Sequence, residues 1–485
     1  MGPSKSHARS KSGQAKSSTP KPTTDNLNVK VTTRKRSASG APVQSKPAEI
    51  VDDTEDAIIN PLVWKCDEMN RKPRQVLSKP NLPTILHGQR LGLTKSSQYH
   101  QSVVPPIMTY TSQFRVAKLA SPFDRRVTAL AWHPRYTRVC TAGSKSGDLV
   151  LWDTSKKVEG DMFKDMIKGR GPGGSVQSLV LDEINPDRFY TACIDGTVAT
   201  QLYSDKEGSR KKVFLQTNDW ERWYTGLDIS FTSNLLVAGN SRGLVSLLSL
   251  EGEKVWDLKL HKTKCNFVQF STRQPWMMVT SSVDHMVKIW DIRKISSKNS
   301  ALAVLPHDKA VNSAYFSLVS GDKLLTTDQH SQLRVYQAPT FSTYTTIHHP
   351  HRQFQHLSPI KATWHPLADI VVVGRYPDPK FASYSEGELR SIDFFSGLTG
   401  ESLHQLHQHG LDNIMSLSQF NPSGDLMISS LSGSLLLWKA KSDTIDDEDR
   451  DGSTSKQGLA DEEWPDFKTK KGKSAQKKKL IGEKK

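Results

Sequence analysis

A short run of β-forming residues recurs between residues 120 and 440, and this repeat restricts the possible folds more than any other feature. The run ends in Trp-Asp at 149–153 and 287–291 and in Trp at 435–438, with weaker copies at 198–201, 244–248, 333–336 and 389–393. Successive copies are about 49, 47, 42, 46, 56 and 46 residues apart, close to the length of a four-stranded propeller blade. Seven copies predict an all-β ring of seven blades.

The Trp-Asp endings resemble those of the WD-repeat family, which implies a seven-bladed β-propeller over residues 121–440. One blade alone has too little core to be stable, so each must pack against its neighbours, and closing the ring removes exposed strand edges. The longest spacing, between Tyr336 and Ile392, indicates an insertion. Because loops carry the function of such scaffolds, the insertion is the first place to look for a site.

The charge of the chain favours a polyanionic partner. There are 66 Lys plus Arg against 50 Asp plus Glu, a net charge of +16. Residues 1–60 carry +4 and residues 441–485 carry +1, which leaves +11 on residues 61–440. A basic folded body suggests nucleic acid first, although a soluble basic protein without such a partner is an equal alternative on charge alone.

Three other classes of protein are not expected from the sequence. No apolar run approaches the ~20 residues of a membrane-spanning helix, so we expect no membrane partner. The N-terminus lacks the apolar segment of a secretory signal, and the four cysteines are too far apart for a disulfide framework. We therefore expect an intracellular, soluble protein.

The regions outside the repeats differ in character. Residues 1–80 are rich in Ser, Thr, Pro and Lys, and residues 441–485 are first acidic and then basic, so both are predicted to be disordered tails. Residues 81–120 are predicted to form a helix-loop-helix arm, because Ile107, Tyr110 and Phe114 follow helical spacing and Pro105-Pro106 would bend it. Such an arm can pack on its own blades or dock to another protein.

The insertion near residues 348–359 contains four histidines, two prolines and a phenylalanine. A metal site is one interpretation, but Pro350 interrupts regular ligand spacing and no Cys or carboxylate completes the set, so no metal or cofactor is expected. An inert surface hairpin is a second interpretation. The third is a recognition hairpin, in which Arg352 holds a phosphate and Phe354 acts as an apolar wedge beside Gln355 and His356.

Several strings in this region and elsewhere resemble one family closely. These strings are 349–352, 354–357 and 359–362, together with 122–126, 324–329 and 373–379. They are similar to the small subunit of the UV-damaged DNA-binding complex, and the resemblance covers residues 80–440. It implies recognition of ultraviolet photoproducts and other lesions in duplex DNA, the initiation of nucleotide excision repair, and a location in the nucleus.

The resemblance also implies roles for particular residues. Phe354, Gln355 and His356 would enter the minor groove in place of an extruded lesion, which costs least to flip where stacking is already poor. The flipped bases would rest against Pro172 and Trp223. Phosphates beside the lesion would be held by basic side chains at Arg125, Lys145, Lys264, Arg352 and Arg390.

A second motif suggests a protein partner. Asp284 precedes Trp290-Asp291, and Arg293 follows two residues later, which resembles the box of substrate receptors of cullin–RING ubiquitin ligases. In that interpretation the box, together with Ile107 and Phe114 of the arm, meets a large three-propeller adaptor subunit. In an ordinary WD repeat, Asp284 stabilises a turn and Trp290 packs inside the blade, and both interpretations can hold together.

No catalytic activity is expected from the motifs present. The chain has no nucleophile elbow and no metalloprotease helix, and His133, His261 and His365 follow repeat positions, which favours structural roles. The alternative to lesion recognition is a generic WD-repeat scaffold that binds histones or other chromatin proteins. The hairpin at 348–359 discriminates between the two, because a histone-binding propeller does not require it.

Overall fold

The computed structural model describes residues 96–156, 163–169, 174–205, 209–219, 221–351, 358–381, 384–411 and 413–441, and positions 87, 88, 91, 93 and 171. All of these belong to one compact unit that spans residues 77–485. The two tails predicted to be disordered, 1–80 and 441–485, lie outside the described residues except for Lys441.

The described residues form seven four-stranded antiparallel sheets, which confirms the predicted seven-bladed propeller. Blade 1 contains β2 (Val127–Trp132), β3 (Val139–Ser144), β4 (Leu149–Asp153) and β5 (Phe163–Ile167). Blade 2 contains β6 (Val176–Leu181), β7 (Arg188–Cys193), β8 (Thr197–Leu202) and β9 (Lys212–Gln216). Blade 3 contains β10 (Tyr224–Ser230), β11 (Leu235–Asn240), β12 (Leu244–Ser249) and β13 (Lys254–Lys259).

The remaining blades follow in chain order. Blade 4 contains β14 (Cys265–Phe270), β15 (Met277–Ser282), β16 (Met286–Asp291) and β17 (Ala303–Pro306). Blade 5 contains β18 (Val311–Phe316), β19 (Lys323–Asp328), β20 (Gln332–Gln337) and β21 (Tyr344–His348). Blade 6 contains β22 (Thr363–Trp364), β23 (Ile370–Gly374), β24 (Ile392–Ser396) and β25 (Ser402–Leu406). Blade 7 contains β26 (Met415–Phe420), β27 (Leu426–Leu431), β28 (Ser434–Ala440) and, from the start of the propeller, β1 (Phe114–Ala120).

The strand β1 closes the ring, and this corrects the predicted extent of the arm. Residues 114–120 were expected to be helical, but they pair antiparallel with β28, from Phe114 opposite Ala440 to Ala120 opposite Leu435. The burial of their side chains does not follow a helical period, because Phe114 and Ala120 are buried and Arg115 is exposed. The outer edge of β28 would otherwise lack a hydrogen-bonding partner, so closure outweighs the local helical spacing.

The helix α1 (Ser96–Ser112) precedes the ring and continues through Pro105 and Pro106. The predicted break into two short helices at these prolines is therefore not found. The side chains of Val103 and Val104 are buried in the same core cluster as Phe394 and Trp438, and this contact offsets the helical hydrogen bonds that two prolines cannot donate. The described part of the arm packs on its own blades, the first of the two predicted alternatives.

The direction of the strands divides the loops between two faces of the ring. The first strands of neighbouring blades contact each other, so they line the centre. Antiparallel pairing then places the connections between blades and the loops between second and third strands at one end, called here the upper face. The loops between first and second strands and between third and fourth strands form the opposite end, the lower face.

A hydrogen-bond network inside blade 4 explains two residues of the predicted ligase box. The Nδ1 atom of His261 lies 3.1 Å from Asp284 Oδ2, and its Nε2 atom lies 2.7 Å from Thr280 Oγ1. Trp290 Nε1 donates to the same hydroxyl at 2.9 Å, and Trp290 is wholly buried. Burial would raise the pKa of Asp284, but the hydrogen bond from His261 prevails and lowers it to about 2.

Trp290 therefore holds the blade together and does not form part of an exposed surface. Asp284 lies in the loop 283–285 between the second and third strands, and so at the upper face, whereas Arg293 follows the third strand and lies at the lower face. The proposed adaptor surface cannot contain both, which is a correction to the box as read from sequence. The structural role expected for His261 agrees with its contacts.

Candidate nucleic-acid interface

The upper face carries every described residue that was predicted to meet DNA. Arg125 lies between β1 and β2, Lys145 between β3 and β4, and Trp223 between β9 and β10. Lys264 lies between β13 and β14, and Arg390 lies between β23 and β24. These five positions are far apart in sequence, and the ring topology alone brings them to one end of the molecule.

The remaining predicted contacts lie outside the described residues. They are Pro172, Arg352, Phe354, Gln355 and His356. Their chain neighbours are described, and these belong to two blade-to-blade connections of the upper face, 168–175 and 349–362. The longest spacing of the repeat, between Tyr336 and Ile392, is explained by two long segments of the upper face, 349–362 and 375–391.

The basic residues of the upper face differ in whether an acidic side chain pairs with them. Among the described residues, the side chains of Arg125, Lys145, Lys264 and Arg390 form no ion pair. Arg242 on the same face differs, since its Nη2 lies 2.5 Å from Glu221 Oε2. Cations without intramolecular partners are free to neutralise an external anion such as a phosphate.

Gly147 allows the loop that carries Lys145 to pack closely against the connection 168–175, at Gly174. Gly147 has a φ of 88°, and a Cβ there would lie 2.7 Å from the backbone oxygen of Gly174. Lys145 N also donates to Arg126 O at 2.9 Å, which joins this loop to the connection that carries Arg125. The backbone thus fixes the base of Lys145 and Arg125 while their charged ends remain available.

The two ends of the insertion are fixed to the blades by hydrogen bonds to or from their backbone. On the first side, His349 N donates to Ser331 O at 3.1 Å, and Tyr376 N donates to Pro350 O at 2.9 Å. On the second side, Asn312 Nδ2 donates to Ile360 O at 3.2 Å. The chain therefore leaves and re-enters the scaffold at defined points on either side of residues 352–357.

Two buried histidines lie directly before those residues. His349 and His351 stack with ring centroids 5.3 Å apart, and their Nδ1 atoms are 3.2 Å apart. The other ring nitrogens face carboxylates, His349 Nε2 at 3.3 Å from Asp393 and His351 Nε2 at 3.3 Å from Asp328. Burial lowers the pKa of His349 to about 4, so this ring is neutral at physiological pH.

Asp393 connects the insertion to the second long segment. Its wholly buried carboxylate accepts hydrogen bonds from Arg375 Nη1 at 2.9 Å and Ser391 Oγ at 2.6 Å. Arg375 also pairs with Glu388. Because Arg390 lies between Glu388 and Ser391, this network sets the position of the free cation relative to the insertion.

Arg293, the basic residue of the predicted ligase box, lies at the lower face. Arg293 binds Asp291 through two hydrogen bonds of 2.9 and 2.8 Å, and its guanidinium lies 4.8 Å from the ring centroid of Trp276. Its side chain is 59% exposed, so the outer side of the guanidinium is accessible. The hydrogen bonds from Arg293 lower the pKa of Asp291.

The two arm residues assigned to the adaptor surface have different positions. Phe114 is wholly buried, with its ring 5.5 Å from that of Tyr110 and 5.9 Å from that of Phe420. It therefore belongs to the propeller core, and its assignment to a surface is corrected. Ile107 is partly buried against the same core cluster. Two described residues that precede α1, Leu91 and Leu93, have side chains that are 56% and 78% exposed.

Comparison with known proteins agrees with this architecture. The model of the family described as "WD domain, G-beta repeat" matches residues 115–153, 252–291 and 400–439. The chain is 44% identical to DNA damage-binding protein 2 of Gallus gallus over 356 residues, which cover 72% of this chain and 69% of the relative. It is 41% identical to the protein of that name in Bos taurus, over 73% of this chain and 81% of the relative. The chain belongs to the DNA damage-binding protein 2 family.

Sequence reasoning missed three features of this family member. The buried network of Asp393 and Arg375 has no local signature, because its members come from three separate segments. Lys361 belongs to the string 359–362 that carries the family resemblance, but no local pattern indicates that its side chain lines the centre of the ring. The closing strand β1 was missed because its residues also satisfy a helical spacing.

In the segments that the structure describes, no helix is long and apolar enough to cross a membrane. Within those same segments, no group of His, Cys, Asp and Glu side chains could hold a metal ion.

Proposed function

We propose that the upper face of this protein binds damaged duplex DNA, without catalysing a reaction. The relatives that share most of the chain are named DNA damage-binding protein 2, which supports this assignment. The observation that carries the proposal is the convergence of Arg125, Lys145, Lys264 and Arg390, four cations without acidic partners among the described residues. They share the upper face with the connection 349–362, to which the predicted wedge belongs.

The cations and the wedge perform different tasks in this proposal. Phosphate contacts bind any duplex and position the protein on it, because backbone phosphates carry no sequence information. Phe354, Gln355 and His356 enter the minor groove and replace an extruded lesion, whose flipping costs less than that of a stacked pair. Trp223 and Pro172 receive the flipped bases. The protein thereby initiates nucleotide excision repair in the nucleus.

Lesion preference can be separated from general affinity with two groups of variants. We expect Phe354→Ala, and Gln355→Ala with His356→Ala, to reduce the ratio of affinities for photodimer-containing and intact duplex towards one. Affinity for intact duplex should remain within about twofold, because the phosphate contacts are retained. The measurement is a fluorescence-anisotropy titration of both duplexes at one salt concentration.

A matched control comes from another aromatic residue. Tyr344→Ala removes a side chain that is 50% exposed on the outer strand β21, so it should leave the affinity ratio unchanged. A preserved ratio in the combined variant of all three wedge residues would show that the wedge role is wrong.

We also propose that the lower face binds the large three-propeller adaptor, which connects the protein to a cullin–RING ubiquitin ligase. Arg293 supports this proposal because its guanidinium is fixed by Asp291 and Trp276 and remains exposed. Exposed apolar side chains also collect in lower-face loops, namely Ile184, Leu302, Leu318, Leu367 and Leu398. Exposed apolar groups and an ordered arginine on one face are typical of a protein interface.

The adaptor experiment uses point changes, since deletion of residues 81–118 would remove most of the closing strand β1 and α1 with it. We expect Arg293→His to weaken capture of the adaptor about tenfold, and Leu91→Asp with Leu93→Asp to weaken it further. Neither change should alter the affinity for damaged DNA. Unchanged adaptor capture by all of these variants, measured in a pull-down, would exclude this surface.

A further inference from the structure

Lys361 is a half-buried lysine whose side chain lines the centre of the ring and has no counter-ion among the described residues. It lies two residues before β22 of blade 6, at the end of the upper-face connection 349–362. Its side chain lines a central channel with a volume of about 650 Å³. In the part of the chain that the structure describes, its ammonium group forms no ion pair and no hydrogen bond.

The side chain of Lys361 reaches from blade 6 towards blade 4. Its Nζ atom lies 5.7 Å from the ring centroid of Phe267 on β14. Lys264 lies three residues before Phe267, directly before the start of the same strand. Lys264 therefore lies at the upper end of the strand that the Lys361 side chain approaches from another blade.

The electrostatics of this pair are unfavourable without an anion. Burial, and then the charge of Lys264, lowers the pKa of Lys361 to about 8, and burial also lowers the pKa of Lys264. The other ionisable groups that line the channel are Asp228, Glu183 and Tyr315. Burial raises the pKa of Asp228 to about 7. An ion pair with a lysine would lower the pKa of this carboxyl group instead. The carboxylate accepts a hydrogen bond from Phe270 N at 2.7 Å.

We propose that Lys361 and Lys264 together form an anion seat in the upper part of the central channel, and that this seat holds a phosphate group of bound DNA. The inference rests on the proposed DNA-binding function and assigns a residue to it that lies inside the ring. One phosphate between two ammonium groups removes their mutual repulsion and compensates both for lost hydration. The phosphate also favours the protonated form of Lys361, so binding takes up protons near pH 8.

The first experiment measures the affinity of the full-length protein for intact duplex as a function of salt. Intact duplex is used because its binding does not depend on the wedge. We expect Lys361→Met to lower affinity about five- to tenfold and to reduce the slope of log K against log salt by about 0.9, the value for one phosphate. Lys361→Arg should retain the slope, since the charge remains.

Two further variants test the pairing of the lysines. Lys264→Met with Lys361→Met should lose less affinity than the sum of the single changes, because both residues hold the same phosphate. Lys254→Met is the matched control, since it also removes one positive charge, from β13, where Lys254 pairs with Asp257 at 3.7 Å. The control should leave the salt slope unchanged.

The dependence on pH gives a readout that a structural lysine would not provide. Between pH 7 and pH 9 Lys361 loses its proton, so the affinity of the unaltered protein for intact duplex should fall through pH 8. With Lys361→Arg this decrease should disappear, because arginine stays charged. The Arg variant therefore keeps the test decisive even if Lys361→Met fails to fold.

A second arm distinguishes DNA from free phosphate as the source of the anion. Thermal unfolding is followed with inorganic phosphate in the absence of DNA, for the unaltered protein and for Lys361→Met. Loss of phosphate stabilisation with an unchanged DNA salt slope would assign the seat to free phosphate and overturn its role with DNA. No change in either arm would overturn the seat altogether. A reduced slope on intact duplex without any lesion preference would leave the seat standing and reject the proposed lesion recognition.

Discussion

The predicted DNA contacts of the upper face and Arg293 of the lower face differ in how their charges are paired. On the upper face, Arg125, Lys145, Lys264 and Arg390 have no acidic partner among the described residues. On the lower face, Arg293 is bound to Asp291 by two hydrogen bonds, and exposed leucines lie in the neighbouring loops. The same scaffold therefore presents free cations at one end and a fixed arginine among apolar groups at the other.

This difference follows from what each kind of partner requires. A flexible, unpaired cation neutralises a phosphate wherever the backbone passes, and its contribution decreases as salt increases. A protein partner is recognised by shape and burial, so its contacts benefit from side chains that are already ordered. The ring topology lets both surfaces exist in one chain without competing for space.

The largest expected effect distinguishes paired from unpaired arginines on the upper face itself. Arg375→Met leaves the wholly buried Asp393 and the partly buried Glu388 without their cation, so we expect the free energy of unfolding to fall by about 3–5 kcal/mol. Arg390→Met removes an unpaired cation from the same segment and should change stability by less than about 0.5 kcal/mol. Denaturant titrations of both variants test this, and similar losses would contradict the distinction.

A charge reversal should separate the two faces. Lys264→Glu removes one phosphate contact and adds repulsion, so we expect binding of damaged and intact duplex to weaken at least about tenfold and the salt slope to decrease by about one. Adaptor capture by the same variant should be unchanged. Lys254→Glu, on the outer strand β13, serves as the control, and equal losses in both variants would indicate a general field effect instead of a contact.

Low pH should destabilise the protein through a buried histidine at each of the two faces. Burial lowers the pKa of His349 at the upper face and of His365 at the lower face to about 4, below the value near 6.5 of an unfolded chain. Between pH 6.5 and pH 4 the unfolded chain binds these protons and the native protein does not, so stability falls as pH falls. Each histidine contributes up to about 1.4 kcal/mol per pH unit in this window.

Single substitutions measure these contributions separately. His349→Gln and His365→Gln should each flatten the dependence of unfolding free energy on pH between 6.5 and 4 by a similar amount. A change in slope for only one of them would show that the two faces differ in their buried protonation as well as in their exposed charges.

Much of the architecture could be predicted from the sequence, because the repeat is written into it locally. Each third strand carries its own β-forming run, and spacing alone gives the number of blades. Once the number of blades and the order of strands are fixed, the loops that hold Arg125, Lys145, Lys264 and Arg390 must share one face. The resemblance in the strings near 349–362 then pointed to the proposed DNA contacts.

Other features depended on contacts between segments that are distant in the chain. Phe114 and its neighbours follow a helical spacing, yet they form a strand, because the last blade needs a fourth strand to complete its hydrogen bonds. Asp284 and Arg293 are nine positions apart, but the strand between them places them at opposite ends of the ring. Trp290 is a surface candidate in sequence and a buried hydrogen-bond donor in the fold.

The sequence by itself determined the fold class, the number of blades and the face on which the basic residues gather, since these follow from local periodicity and strand order. Only the tertiary structure decided which charges remain available. Arg375 and Arg390 are similar in sequence terms, but burial against Asp393 makes the first part of the scaffold and leaves the second free. Lys361 shows the same principle in reverse, because closure of the ring brings its ammonium group over Phe267 of another blade, without a carboxylate partner among the described residues. The physical reason is that the free energy of a charge depends on its neighbours in space, which a linear pattern does not specify.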